Sequence, residues 1–441
     1  MKKFSTFSNK KVEERLKKSV FAFDINRTSS LTVRGKRLLV LSELLEERKE
    51  DLAKIITLEM GKPIKEALAE IAKCRTICDY YAENGKTFLA DQEINSPFTQ
   101  SVIQYAPLGI VLGIMPWNFP FWQVFRFAIP ALMSGNSILL KHAPNVPQCA
   151  EQIEKLFKDA HFPEGLFQNL FLDNEQTGRL IAADAVQGIS FTGSLKTGSV
   201  VAQQAGKFIK KTVLELGGND AFIVLKEANL KEAADVAVRS RMLNAGQSCI
   251  AAKRWIVDKI VMDPFLELVK EKINELLIDD PLSMNTDIGP MARLDLREVL
   301  VQQIKQSVEM GAKIALGGKA GTGKGYFMQP TILTDVTPNM PAFDEELFGP
   351  VATVILAENE RHAIELANTS KYGLGASLWT TDLTKASRLA KQLQVGSVFI
   401  NGMVQSNVHL PFGGTKKSGY GRELGIAGLL EFVNLKSIVV Q

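Results

Sequence analysis

Hydrophobic positions recur along the chain with two different periods. In residues 31–60 (LTVRGKRLLVLSELLEERKEDLAKIITLEM), apolar side chains stand at helical spacing and charged side chains lie between them. From residue 101 onward, the apolar residues instead form short runs rich in Val, Ile, Leu and Phe, and helical segments separate most of these runs. The pattern therefore predicts amphipathic helices in the N-terminal part of the chain, followed by strands that alternate with helices.

The predicted strands form two series, which divide after Gly217–Gly218. The first series has strands at 101–106, 110–115, 137–143, 166–172, 188–193 and 212–216, with helices at 121–135, 146–160, 177–184 and 199–209. The second series has strands at 221–225, 254–261, 331–336, 351–357, 376–381 and 397–402. Apolar strands that alternate with helices are typical of parallel sheets covered on both faces. We expect an α/β fold with two doubly wound parallel-sheet domains, in which ligands bind beyond the carboxyl ends of strands.

Composition and charge narrow the class of protein. The chain has 441 residues, of which 46% are hydrophobic and 23% charged, so it is globular and too long for a single core. The net charge is +4, and its two basic clusters are short and lack an aromatic RNA-binding signature. The most apolar stretch, residues 109–122, is interrupted by Pro116 and Pro120. We therefore expect no nucleic-acid partner and no membrane partner.

The four cysteines are Cys74, Cys78, Cys149 and Cys249. Their spacing is not that of a metal site, so we expect no metal. So few cysteines in so long a chain, without an apolar leader segment, favour a reducing compartment and a cytoplasmic location. Cys249 stands in NAGQSCIAAKRW (244–255), which alone is compatible with a nucleophile, a metal ligand or a buried core thiol. None of the four histidines has a Cys-His protease context, which disfavours a papain-type hydrolase.

Several other short motifs accompany the cysteine motif in a fixed order. They are MPWNFPFW (115–122), FTGSLKTG (191–198), LELGGND (214–220), EELFGPV (345–351) and LPFGGTKKSGYGRE (410–423). Together they resemble the NAD(P)-dependent aldehyde dehydrogenase superfamily over nearly the whole chain. KHAPN (141–145) and the ending of the chain are most similar to bacterial succinate-semialdehyde dehydrogenases.

The resemblance implies a catalytic role for three residues. Cys249 would attack an aldehyde carbon as a thiolate, and the side-chain amide of Asn118, with the backbone N–H of Cys249, would stabilise the resulting oxyanion. Glu215 would act as the general base that activates water to hydrolyse the thioacyl enzyme. The alternative for Asn118 is a turn residue between Trp117 and Pro120, and the alternative for Glu215 is a solvated carboxylate at a strand end.

The resemblance also implies NAD or NADP as the cofactor. Ser194 would cap a helix and contact the pyrophosphate, Lys141 would hold the adenosine ribose, and Glu346 and Phe348 would hold the nicotinamide end. Many NAD-preferring members carry a glutamate where this chain has Pro144, so the 2′-phosphate of NADP would be tolerated. The residues expected to bind the cofactor are Met115, Trp117, Lys141, Pro144, Gly193, Ser194, Gly198, Leu216, Glu346 and Phe348.

The expected substrate is an aldehyde with a terminal carboxylate, namely succinate semialdehyde, which would be oxidised to succinate. Arg126 would bind the carboxylate in a tunnel lined by Phe119, Trp122 and Ser406. The alternative for Arg126 is an ion pair between helices. Human-type succinate-semialdehyde enzymes carry an arginine where this chain has Leu243, which weakens the substrate assignment.

Three alternatives to this function stay open, and they differ in chemistry. The substrate could be another short aliphatic or carboxylated aldehyde. The scaffold could also serve a non-catalytic binding protein, against which the intact Cys249, Glu215 and Asn118 argue. A coenzyme-A-dependent acylating dehydrogenase generally lacks the base, so Glu215 disfavours it.

The resemblance further divides the chain into three parts. Residues 1–88 and 108–216 are expected to form the dinucleotide-binding domain, and residues 217–428 the catalytic domain. Residues 89–107 and 429–441 are expected to supply the strands of a small β element for oligomerisation. We expect a homodimer or a homotetramer.

Overall fold

A computed structural model describes residues 4–441 of the chain. The α-helices are α1 (Asn9–Thr28), α2 (Leu31–Glu47), α3 (Lys49–Met60), α4 (Ile64–Phe88), α5 (Trp122–Met133), α6 (Pro147–Asp159), α7 (Asn174–Ala182), α8 (Leu195–Lys207), α9 (Leu230–Met242), α10 (Met262–Asn274), α11 (Leu294–Glu309), α12 (Pro341–Asp344), α13 (Glu360–Asn368), α14 (Leu383–Ala390) and α15 (Gly425–Leu430). The run at 31–60 is thus two helices, which divide at Arg48.

The strands are β1 (Gln92–Glu93), β2 (Gln100–Pro107), β3 (Ile110–Met115), β4 (Ser137–His142), β5 (Phe167–Asn169), β6 (Val186–Thr192), β7 (Lys211–Glu215), β8 (Ala221–Val224), β9 (Arg254–Asp258), β10 (Lys313–Leu316), β11 (Thr331–Thr334), β12 (Val351–Ala357), β13 (Tyr372–Gly373), β14 (Gly375–Trp379), β15 (Ser397–Ile400), β16 (Thr415–Lys416), β17 (Gly419–Tyr420) and β18 (Val433–Val440). All twelve predicted strands are present, and six further strands (β1, β10, β13, β16, β17 and β18) belong to neither predicted series.

A six-stranded sheet contains most of the first series. Its strand order is β17-β7-β6-β3-β4-β5, and β3 to β7 are parallel. The chain runs outward from β3 to β5 on one side, and from β6 to β7 on the other. This arrangement places a switch point between the carboxyl ends of β3 and β6, where open α/β sheets bind ligands.

The centre of this sheet explains the most apolar stretch of the sequence. Every residue of β3 is buried, and so is every residue of the helix α5 that follows it. Helix α5 packs against β3, β4 and α4. Continuous burial, rather than lipid contact, therefore accounts for this run of apolar side chains. Within the described residues, no helix is both long and apolar enough to span a membrane.

A seven-stranded sheet contains the second series, in the order β10-β11-β12-β9-β8-β14-β15. All its neighbouring strands are parallel except β10, which runs antiparallel to β11. Two mostly parallel sheets, each with one antiparallel edge strand, confirm the predicted α/β class.

A third, antiparallel sheet has the order β1-β2-β18. Strand β18 pairs with β2 along its full length, from Val433 opposite Pro107 to Val440 opposite Gln100. These strands come from the two ranges predicted to form a separate β element, whose part in oligomerisation stays a prediction. The domain boundaries also stay predictions. Strand β17, from the range assigned to the catalytic domain, pairs with β7 at the edge of the six-stranded sheet.

Candidate active site

The residues before Cys249 form an unusual left-handed turn. Helix α9 gives way to a short 3-10 turn in which Asn244, Ala245 and Gly246 have φ values of 56°, 51° and 72°. At Gly246, a Cβ atom would lie 2.3 Å from the carbonyl oxygen of Gly349, so only glycine fits. Non-glycine residues rarely adopt this conformation, and such strain persists only where surrounding contacts hold it.

Side-chain hydrogen bonds hold this turn. The Glu66 carboxylate on α4 accepts the Asn244 backbone N–H at 2.8 Å. The Asn244 side-chain amide donates to the carbonyl oxygens of Asn118 and Gln247, at 2.8 and 3.1 Å. The Gln247 amide donates back to the Asn244 carbonyl oxygen at 3.0 Å. The turn is thus fastened to α4 and to the segment that carries Asn118.

Arg241 fixes the other side of the turn. Its fully buried guanidinium donates to the carbonyl oxygens of Gly246 at 3.1 Å, Leu347 at 2.7 Å and Val351 at 2.5 Å, and it also donates to that of Gly349. The Arg241 guanidinium is therefore hydrogen-bonded to backbone carbonyl oxygens. Leu243, two residues later, instead lines a cavity beside Cys249.

Cys249 is half-buried and lines two cavities. The Lys253 ammonium donates to the Cys249 carbonyl oxygen at 2.7 Å and to that of Ser248 at 2.8 Å. Burial raises the pKa of the Cys249 thiol to about 12, although Arg126 and Lys253 act in the opposite direction. The thiol is therefore protonated near neutral pH in this structure, and forming the thiolate requires a base or a change of surroundings.

The first of these cavities, here called the sheet-edge cavity, has a volume of about 240 Å³ and follows the ends of β3, β6 and β7. Its wall includes Asn118 beside Cys249. Six of the ten residues predicted to bind the cofactor also line it: Trp117, Gly193, Ser194, Leu216, Glu346 and Phe348. The sheet-edge cavity thus lies at the switch point predicted by the strand order.

The wall of the sheet-edge cavity fits a dinucleotide. The buried Thr192 hydroxyl lines it and has no hydrogen-bond partner among the described residues. Ser194 caps α8, whose first-turn N–H groups favour an anion such as a pyrophosphate. Phe348 and Trp117 meet edge to face, with ring centroids 5.9 Å apart, and provide an apolar surface for a flat ring.

The remaining four predicted cofactor residues lie outside this wall. Met115 and Lys141 are at the carboxyl ends of the adjacent strands β3 and β4, and the exposed Pro144 follows β4. Burial lowers the pKa of the half-buried Lys141. Gly198 lies within α8, where a Cβ atom would come within 2.4 Å of the Leu216 side chain. Gly198 therefore permits close packing of α8, and the structure does not place it at the cavity surface.

The second cavity, here called the helix-side cavity, has a volume of about 360 Å³ and lies between α4, α5 and the loop after β15. All four residues predicted to bind the substrate line it: Phe119, Trp122, Arg126 and Ser406. The helix-side and sheet-edge cavities share Cys249 and Gln123. One thiol is therefore accessible from both cavities.

Arg126 already has a partner within the protein. Its buried guanidinium forms an ion pair with the buried carboxylate of Glu423 and lies 4.6 Å from the centroid of the Phe412 ring. The alternative expectation of an ion pair between helices is close to this arrangement, except that Glu423 lies in the loop before α15. Arg126 therefore lines the helix-side cavity while its guanidinium is held by Glu423.

Glu215 ends β7, and its side chain is buried. Neither carboxyl oxygen has a hydrogen-bond partner among the described residues. Burial, and then the nearby Glu423, raise the pKa of Glu215 well above its usual value. Glu215 is absent from the described walls of both cavities. Its carboxyl group must turn towards Cys249 to act there, so its role as a base stays a prediction.

Asn118 lies beside Cys249, and its role as an oxyanion donor stays a prediction. It is buried beside Cys249 in the sheet-edge cavity, and its side-chain amide donates to the Gln247 carbonyl oxygen at 3.0 Å. The amide carries a second hydrogen, for which the described residues provide no acceptor. That hydrogen is available to an oxyanion.

Comparison with known proteins covers nearly the whole chain. Residues 1–438 match the aldehyde dehydrogenase family. The chain belongs to this family. A probable succinate-semialdehyde dehydrogenase (NADP(+)) of Synechocystis sp. is 47% identical over 435 residues, which are 99% of this chain and 96% of that protein.

Two further relatives agree with this family assignment. A succinate semialdehyde dehydrogenase (NAD(P)+) of Escherichia coli is 44% identical, over 97% of this chain and 92% of that protein. The crystal structure of succinic semialdehyde dehydrogenase from Streptococcus pyogenes, in complex with NADP+, is similar with a TM-score of 0.98 and 35% identity. The similarity covers 100% of this chain and 97% of that chain. The resemblance found in the sequence is therefore confirmed.

Some residues of this aldehyde dehydrogenase site were not found from the sequence. Glu66 and Lys73 lie on α4, more than a hundred positions before Cys249 in the chain, yet both line the helix-side cavity. Lys65, Glu66, Ala69, Glu70 and Lys73 occupy one face of α4 at helical spacing. In the sequence this face looks like an ordinary solvated surface, because charged side chains on an amphipathic helix usually face water.

Proposed function

We propose that this chain oxidises succinate semialdehyde to succinate with NAD or NADP. The main support is the position of Cys249 in the walls of two cavities, one at the edge of a doubly wound sheet and one lined by aromatic and cationic side chains. The names of the Synechocystis and Escherichia coli relatives support the same substrate. The aldehyde would enter the helix-side cavity and the dinucleotide the sheet-edge cavity.

In this proposal, the residues around Cys249 divide the chemistry between them. The Cys249 sulfur, once deprotonated, forms a bond to the aldehyde carbon, and the former carbonyl oxygen becomes an oxyanion. The Asn118 amide and the Cys249 backbone N–H donate hydrogen bonds to that oxygen. Bound NAD or NADP supplies the hydride acceptor. Glu215 then removes a proton from the water that hydrolyses the thioester, releasing the carboxylate.

The cofactor residues provide the positions that such a reaction needs. Ser194 and the start of α8 would receive the pyrophosphate, while Glu346 would hold the nicotinamide ribose. Glu346 accepts a hydrogen bond from the Gly218 N–H at 3.2 Å and lies 3.3 Å from the Lys253 ammonium. Lys253 also donates to the Cys249 carbonyl oxygen. The Lys253 ammonium thus contacts both the proposed ribose-binding carboxylate and the backbone of the residue that carries the nucleophile. Because Pro144 carries no charge, both NAD and NADP are proposed as acceptors.

The direct test is an aldehyde panel with NAD and with NADP, read from the absorbance of the reduced nicotinamide. We expect a higher kcat/KM for succinate semialdehyde than for butanal, which has the same number of carbons and no carboxylate. Cys249→Ala should abolish turnover and leave nucleotide binding intact. If the protein oxidises another aldehyde with a higher kcat/KM than succinate semialdehyde, the proposed substrate is wrong. Binding of nucleotide without turnover of any aldehyde would favour a non-catalytic protein.

A further inference from the structure

The helix-side cavity is lined by several charged groups, and most of them have partners. The Lys65 ammonium lies 2.5 Å from a carboxylate oxygen of Asp287. The Glu66 carboxylate accepts the backbone N–H of Asn244, as described above. Arg126 forms its ion pair with Glu423. Each of these three side chains thus already has a partner within the protein.

Glu70 is also committed within the protein. One of its carboxylate oxygens accepts the backbone N–H groups of Phe121 and Trp122 at 2.8 and 3.0 Å, at the start of α5. The other oxygen forms a buried ion pair with Lys62. Glu70 thus fastens α5 to α4 and does not pair with Lys73, although both side chains lie on the same face of α4.

Lys73 differs from these neighbours. Among residues 4–441, no carboxylate lies within ion-pair distance of its ammonium group. Its nitrogen donates to the Ser406 hydroxyl oxygen at 2.7 Å and lies 4.5 Å from the centroid of the Trp122 ring system. Burial, and then the nearby positive charge of Arg126, lower the pKa of Lys73 to about 8. The surroundings therefore disfavour this cation, and a bound anion would stabilise it.

Ser406 complements Lys73. Its hydroxyl oxygen accepts hydrogen bonds from the Lys73 ammonium and, at 3.2 Å, from the Trp122 indole N–H. The Ser406 hydroxyl donates to no described residue, so its proton is available to an acceptor in the helix-side cavity. The Lys73 ammonium likewise has further N–H groups beyond the one directed at Ser406.

We propose that Lys73, together with the Ser406 hydroxyl, binds the carboxylate of the aldehyde substrate and so sets the preference for a carboxylated aldehyde. This inference rests on the proposed function and adds Lys73 as a second cationic side chain beside Arg126, whose expected role in binding the carboxylate stays a prediction. The carboxylate accepts one hydrogen bond from the Lys73 ammonium and one from Ser406. Arg126 lines the same cavity and is held by its ion pair with Glu423. Lys73 and Cys249 line the same cavity, in which the aldehyde is proposed to bind.

The test compares Lys73→Met with wild type on succinate semialdehyde and on butanal. Methionine has a similar length to lysine and no charge, so kcat/KM for succinate semialdehyde should fall by about 10- to 100-fold, mainly through KM. The loss on butanal should be much smaller. Lys73→Arg should recover most of the preference, because it restores a cation. Lys86→Met is the matched control, since it removes an exposed lysine from the same helix.

A second measurement shows whether Lys73 and Ser406 act as a pair. Ser406→Ala should also lower kcat/KM for succinate semialdehyde, and the double variant Lys73→Met/Ser406→Ala should lose less than the product of the two single effects. If Lys73→Met does not fold, Lys73→Gln removes the charge and keeps a donor for Ser406. Lys73→Gln should also lower kcat/KM for succinate semialdehyde, but by a smaller factor than Lys73→Met.

The two levels of the proposal fail in different ways. If wild type prefers succinate semialdehyde and both Lys73→Met and Lys73→Gln keep that preference, the role of Lys73 is wrong and the function stands. Equal losses on both aldehydes would make Lys73 a purely structural residue, which also overturns the inference. If wild type does not prefer succinate semialdehyde to butanal, the proposed substrate itself fails.

Discussion

Cys249 is the one cysteine among the described residues that is not fully buried, and its protonation governs its reactivity. Cys74, Cys78 and Cys149 are buried, and burial raises the pKa of each thiol well above its usual value. A small alkylating reagent should therefore modify Cys249 selectively. The reactive species is the thiolate, so the rate follows its population.

We predict that alkylation of Cys249 by iodoacetamide, without cofactor, accelerates with pH up to the highest pH at which the protein stays folded. The reason is the pKa of about 12, above which the thiol would be mostly ionised and below which the thiolate fraction rises with pH. Mass spectrometry of the labelled protein measures the rate, and Cys249→Ala provides the unlabelled control. A rate that levels off near neutral pH would show an activated thiolate already present and contradict the prediction.

At Glu215, we predict that replacement by Gln separates two steps of the proposed reaction. Hydride transfer precedes the hydrolysis that needs the base, so Glu215→Gln should give a burst of reduced nicotinamide of about one per active site, followed by slow turnover. Stopped-flow absorbance resolves these phases. Absence of the burst with Cys249 intact would mean that Glu215 has another role. A steady rate equal to that of wild type would remove it from the mechanism.

The element that completes the site is α4. Its Glu66 carboxylate accepts the N–H of Asn244 in the left-handed turn, so the position of the nucleophile depends on a helix far away in the sequence. The docking of α4 is in turn fastened by the Glu70 contacts with the start of α5. Correct packing of α4 and correct geometry at Cys249 are therefore linked.

We predict that Glu66→Ala destabilises the protein by about 1–3 kcal/mol, because it leaves the buried Asn244 N–H without an acceptor. It should also lower kcat, since the turn before Cys249 loses a contact that holds it. Glu66→Gln retains an acceptor oxygen and should lose less of both. Denaturant unfolding and steady-state kinetics provide the measurements, with Glu83→Ala on the exposed face of α4 as the control. Equal behaviour of Glu66→Ala and Glu83→Ala would refute this role.

The strands could be predicted from the sequence because burial on both faces leaves few alternatives to apolar residues. Strand β3 is the clearest example, since all its residues are buried. The charged face of α4 could not be predicted in the same way. Lys73 and Glu66 have the spacing of a solvated surface, and only the packing of α4 against α5 turns that face towards a cavity.

At the site, the sequence predicted which side chains line the cavity with Cys249. It did not predict which of these side chains contact each other or other parts of the chain. Phe119, Trp122, Arg126 and Ser406 share one cavity, as the resemblance implied. The pairing of Arg126 with Glu423 was not foreseen, because the two residues are nearly three hundred positions apart in the chain. Contacts between distant segments depend on the tertiary fold, which local patterns do not encode.

At the scale of the whole molecule, β18 is an edge strand with exposed apolar side chains, among them Leu435, Ile438 and Val440. An edge of this kind favours pairing with another chain. We predict a dimer or a tetramer in solution, and Leu435→Lys should shift the molecular mass measured by light scattering towards the monomer. Leu383→Lys, at a similarly exposed leucine on α14, is the matched control. A wild-type monomer would contradict the prediction, as would equal effects of the two substitutions.

Several of the hydrogen bonds that hold the turn before Cys249 come from distant parts of the chain, so the cysteine motif alone would not keep its geometry in another protein. A designer who grafts the residues from Gly246 to Cys249 onto another scaffold copies the nucleophile but not the buried Arg241, whose guanidinium holds four backbone carbonyls around it. Nor does the graft bring the left-handed turn, which depends on a carboxylate from a helix far away in the chain. A graft that keeps the geometry at Cys249 must therefore include Arg241 and the helix that carries Glu66, and so most of the fold.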